Sequence, residues 1–121
     1  MVRRIVERAL RLAGLPDEAR ARQILEENAS LIYEKYQLEI AEEQENLYIY
    51  ALACFTLASA LPALHTFYIN DAPRLAKQYA ETDMVFLSPE EVSEAVKHYR
   101  QLGEEAISKL RGGDFNVEAI P

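Results

Sequence analysis

Apolar residues recur every three to four positions along most of the chain, and that recurrence divides it into helices. Val2, Ile5, Val6, Ala9, Leu10 and Leu12 lay one stripe on a first short helix, closed by Gly14 and then Pro16. Pro16, with Asp17 and Glu18 behind it, reads as the next helix start, because proline suits the first helical position and carboxylates suit the positive end of the helix dipole. The stripe Ala21, Ile24, Leu25, Ala29, Ile32 and Tyr36 carries this second helix to Tyr36 or Leu38.

A third helix begins within Ala41 to Asn46 and runs through Leu47 to Ile69, 23 residues without Asp, Glu, Lys or Arg. Pro62 is expected to bend it near Leu61 or to end its regular hydrogen bonding, since proline has no N–H to give. After it, Ala72-Pro73 breaks a helix, while Arg74 to Glu81 has the pattern for two turns of one. Ser88-Pro89-Glu90-Glu91 is the sharpest local signal: serine caps, proline takes the first position and Glu91 reaches back to the cap. The stripe Val92, Ala95, Val96, Tyr99, Ala106 and Leu110 follows, with Lys109 and Arg111 at the negative helix end and Gly112-Gly113 as the stop. No bounded alternation of apolar and polar residues marks a strand. The expected fold is all-α: a compact bundle of four to five helices, a long central apolar helix, one domain over residues 1–113, and an extended C-terminal tail over 114–121.

Length and composition agree with that picture. A chain of 121 residues that is 50% apolar can close one core without staples. Cys54 is the single cysteine, which excludes an internal disulfide and points to a reducing compartment. The opening Met1-Val2-Arg3-Arg4 lacks the continuous apolar run of a secretory signal. Leu47 to Ile69 is long enough to span a bilayer. Pro62, His65 and Thr66 within it, and the absence of a Lys/Arg cluster on its flanks, favour a central buried helix instead.

Net charge is −7, unfavourable for general binding to nucleic acid phosphates, and it is unevenly placed. Arg3, Arg4, Arg8 and Arg11 make residues 1–11 net +3, whereas residues 17–45, including Glu26, Glu27 and Glu34, are net −6. Such a bipolar chain can pair with copies of itself, although each run also suits a plain solvated helix face.

Chemical machinery is not expected. His65 and His98 fall on separate helices and in no metal-ligand spacing, so no metal or cofactor is called for. Cys54, among Ala53, Phe55 and Leu57, has no cationic neighbour in sequence to lower its thiol pKa and reads as a small buried hydrophobe. Adjacent acids such as Glu42 and Glu43 point to different helix faces and make poor acid–base partners. The chain reads as a non-enzyme. In the tail, Phe115, Val117 and Ile120 want a surface to bury against, on a partner or on the chain's own domain.

The order of these pieces resembles the small helical head–tail connector (adaptor, or neck) proteins of tailed bacteriophages. Ala29-Ser30-Leu31-Ile32-Tyr33-Glu34-Lys35-Tyr36 resembles that family's early helix, and Ala51-Leu52-Ala53-Cys54-Phe55-Thr56-Leu57-Ala58 its central one. Ser88-Pro89-Glu90-Glu91-Val92, Tyr99 and Ala106-Ile107-Ser108-Lys109-Leu110-Arg111-Gly112-Gly113 are similar to the closing helix of Mu-type neck proteins, where a short apolar tail also follows. The chain departs from the family in lacking a proline turn soon after Tyr36 and a Gly/Ser-rich loop before Ser88. The resemblance implies a structural virion protein: a ring, typically of twelve copies, under the portal, joined to a tail or tail-completion protein and letting DNA pass without specific binding. It implies a place in the virion neck, after assembly in the host cytoplasm, and no membrane. The other readings of the same residues are a single-pass membrane protein using 47–69 and a small helical regulatory binding protein.

Overall fold

The computed structural model describes residues 1–70 and 88–112. They form four α-helices and one 3-10 turn, with no strand among the described residues, so the fold is all-α. We label the helices α1 (Val2–Ala13), α2 (Ala19–Lys35), α3 (Glu45–Asn70) and α4 (Pro89–Gly112), with the 3-10 turn at Glu42–Gln44. The two turns expected in Arg74 to Glu81, Gly113 and the whole tail with Phe115, Val117 and Ile120 lie outside the described residues.

Each boundary has a local cause. Gly14 takes the left-handed conformation (φ 65°) at the end of α1, where its N–H donates to the Arg11 carbonyl and the Leu15 N–H donates to that of Leu10. This double closure satisfies terminal carbonyls and brings Leu15, itself buried, back under the helix. Helix α2 starts three residues later than the Pro16 reading placed it. The carboxylate of Glu18 accepts from the N–H groups of Arg20 (3.0 Å) and Ala21 (3.2 Å), so Glu18 is the cap, and Pro16 belongs to the turn before it. Asp17 is not in the helix either; it takes a two-pronged bond from Arg22 at 2.7 and 2.9 Å.

Helix α2 stops at Lys35, one residue short of the nearer expected end, with Tyr36 as its cap. The Tyr36 carbonyl accepts instead from the Tyr48 hydroxyl at 2.6 Å, and the Gln37 amide donates to the Tyr33 carbonyl. Pro62 does not end α3, which continues through it to Asn70. Its ring sits on the exposed side, and Thr66 donates to the Pro62 carbonyl at 3.0 Å. At α4 the expected reciprocal cap is present, with Ser88 N–H on Glu91 (2.8 Å) and Glu91 N–H on the Ser88 hydroxyl (3.2 Å).

Helix α3 is the hub. It packs against α1, α2 and α4, and Ala51, Ala53, Leu57, Leu61 and Leu64 are buried on different sides of it. Arg4 meets Glu45 and Arg8 meets Tyr50, so α1 and α3 run in the same direction. Asn28 meets Ser59 while Tyr36 meets Tyr48, so α2 runs against α3. Gly103 lies on Phe55, and Arg100 shares a depression with Ser59, so α4 also runs against it. The described helices therefore alternate up, down, up, down. The α4 stripe is buried as expected at Val92 and Ala106, and Ile107 joins them.

Candidate interaction surfaces

The four N-terminal arginines separate on folding. Arg4, Arg8 and Arg11, spaced at four and three residues, fall on one side of α1. Arg4 is bound to Glu45 at 3.0 Å and the Arg8 guanidinium lies over the Tyr50 ring, 5.4 Å from its centre. Both thus fasten α1 to α3. Arg3 lies on the other side, 3.7 Å from Glu7, in a pair so exposed that it adds little. Arg11 is exposed and makes no ion pair among the described residues.

On α2, Glu26, Glu27 and Glu34 are all exposed and, among the described residues, none has a cation within ion-pair distance. Glu27 and Glu34 are two turns apart on one face, and Leu31 lies between them, 68% exposed. Leu31 went unnoticed as a surface candidate in the sequence. Its signal was there, because it is out of phase with the inward stripe of Ala29, Ile32 and Tyr36.

Helices α2 and α4 flank α3 without meeting extensively, which leaves a groove with α3 as its floor. One part, of about 530 Å³, is lined by Tyr36, Phe55, Glu104, Ile107, Ser108 and Arg111. The next, of about 330 Å³, shares Tyr36, Phe55 and Glu104 and continues past Lys35, Arg100 and Ser59. Three cations and one carboxylate stand along this groove, above an aromatic and aliphatic floor. Nothing in the sequence marked it, since its lining comes from three helices far apart in the chain.

Titratable groups are arranged for packing. Burial pushes the Cys54 thiol above its ordinary range, more strongly than the Tyr50 hydroxyl and Arg8 pull it down. Burial likewise raises the phenols of Tyr50 and Tyr99. His65 is buried and His98 is exposed beside Tyr99. Among the described residues no three of His, Cys, Asp and Glu gather to hold a metal ion.

The segment from Glu42 to Asn70 is long and apolar enough to cross a membrane by length and composition, and 72% of its most apolar window is buried within the structure. Its apolar surface is thus largely taken by α1, α2 and α4. No family model, curated protein or solved structure matches the chain.

Proposed function

We propose that this chain is a structural subunit of a head–tail connector of a tailed bacteriophage, forming a ring beneath the portal that joins capsid to tail and lets DNA pass. The observation that carries the reading is the segregation of charge: Glu26, Glu27 and Glu34 are exposed on α2 with no cation within ion-pair distance among the described residues, while on α1 Arg11 is exposed without an ion pair and Arg3 is exposed beside Glu7. Two different, complementary patches on one subunit make a head-to-tail contact, and such contacts close into rings when the rotation allows. Leu31 supplies an apolar centre for the acidic patch. The order of helices also supports the reading, with a short basic helix, a helix ending near Tyr36, an apolar centre and a Ser88-capped closing helix. The excess of acid suits a lumen through which DNA slides without sticking. The partners are the neighbouring copy, the portal and a tail or tail-completion protein, and the place is the virion neck after assembly in the host cytoplasm.

Native mass measurement of the purified chain, alone and with a portal protein, tests it. A ring near twelve copies, or stoichiometric capture by the portal, is the expected result. A monomer or dimer indifferent to the portal overturns it. The groove between α2 and α4 favours a second reading, a small helical binding protein that takes a peptide there, and that reading gives the monomer or dimer in the same measurement.

A further inference from the structure

We propose that the groove between α2 and α4 is the docking site of the chain's own residues 114–121, bound back on the same subunit. Continuity is the first argument: Arg111, Ser108 and Ile107 line the groove, so the chain leaves α4 at its mouth. Gly113 follows the last helical residue, Gly112, directly and allows the sharp reversal that returning along the groove demands.

Length is the second. The α4 wall from Arg111 back to Arg100 rises about 16 Å at ~1.5 Å per residue. An extended run from Asp114 to Pro121 reaches about 26 Å at ~3.3 Å per residue, enough to cover the groove.

Chemical match is the third. Lys35, Arg100 and Arg111 outnumber Glu104 along the groove, and the segment brings Asp114 and Glu118 without any base. In an extended run Phe115, Val117 and Ala119 share one side, suited to the floor of Tyr36, Phe55, Ala58 and Ile107, while Glu118 points to the cationic rim. Docking in cis has the further advantage that the tether keeps the local concentration of the segment high. The inference stands without the connector reading, because a monomer of any function closes the same latch.

Disulfide trapping in the full chain tests it. Ser59→Cys with Ala119→Cys places one thiol on the exposed groove floor and the other where the docked segment passes it; Gln23→Cys with Ala119→Cys is the control on the outer face of α2. Native Cys54 stays in place, and Ala119→Cys alone accounts for its participation. The expected result is an intrachain crosslink forming at least tenfold faster for the Ser59 pair than for the control, falling to the control rate when Phe115→Glu is added. Equal rates for the two pairs, or no effect of Phe115→Glu, overturn the proposal. A crosslink that forms only between chains also overturns it, and assigns the groove to a neighbouring copy.

Discussion

The Phe55 ring lies flat against the Tyr36 ring, with centroids 4.6 Å apart and planes 3° from parallel. On another side it meets the bare backbone of α4: a Cβ on Gly103 would stand 3.0 Å from Cδ1, Cε1 and Cζ of the same ring. Phe55 is therefore clamped between α2 and α4. Tyr36 also caps α2 and receives the Tyr48 hydroxyl, so the clamp is tied to the α2–α3 turn.

Gly103→Ala follows from this clamp. In an open helix the change would stabilise by about 0.5–1 kcal/mol. Here the ring has Tyr36 behind it and cannot retreat, and overpacking costs about 1–3 kcal/mol. A net loss of about 1–2 kcal/mol is expected, read as a lower urea midpoint with unchanged slope. A stabilised variant would show that the clamp yields.

Two caps carry measurable stability. Among the described residues nothing stands within 4 Å of a side chain at Gly14, so Gly14→Ala tests the positive φ and should cost about 1 kcal/mol. Ser88→Ala removes the hydroxyl that accepts from Glu91 N–H and should cost about 1 kcal/mol. The two caps share no hydrogen-bond partner, and the double variant is expected to show the sum of the two losses.

Thr56 is fully buried on α3 and its hydroxyl has no hydrogen-bond partner among the described residues. A buried hydroxyl left unmatched costs about 1–3 kcal/mol. Thr56→Val keeps the branched shape and removes the polar atom, so thermal unfolding should move upward by the equivalent of about 1 kcal/mol. A downward shift would mean that the hydroxyl is satisfied in solution.

Much of the fold was legible in advance because helix periodicity and cap chemistry are local. Val2 to Leu10, Gly14, Ser88-Pro89 and the Val92 to Leu110 stripe each act within a few residues of themselves, and the structure has them as expected. Pro16 misled because two start signals compete there: Glu18 holds two backbone donors, whereas proline at the first position merely avoids a loss. At Pro62 the sequence left a bend or an end open, because the outcome depends on tertiary surroundings, and the helix continues through it. The surfaces were less visible. Arg4 and Arg8 could not be told from free charges until Glu45 and Tyr50 came beside them. The groove assembles Lys35, Phe55 and Arg111 from three helices, a juxtaposition no periodicity encodes.

Cys54 gives a pH-dependent signature with a definite sign. Its thiol is held above the ordinary value by burial, so the folded chain keeps the proton longer than the unfolded one. Below the ordinary thiol pKa both states are protonated and the group adds no slope. As pH rises past that value the unfolded chain ionises first, and stability falls by up to about 1.4 kcal/mol per pH unit until the folded thiol titrates too. Tyr50 and Tyr99, raised in the same way, add to the loss above the ordinary phenol range. The urea midpoint should therefore decline from pH 7.5 to 9.5, and Cys54→Ala should flatten that decline whatever it does to the midpoint at pH 7.5. The same burial shields the thiol from aromatic disulfide reagents, so labelling at pH 8 should run at the rate of chain opening and accelerate with urea. A flat midpoint together with immediate labelling would place Cys54 in water and α3 outside its sheath of helices.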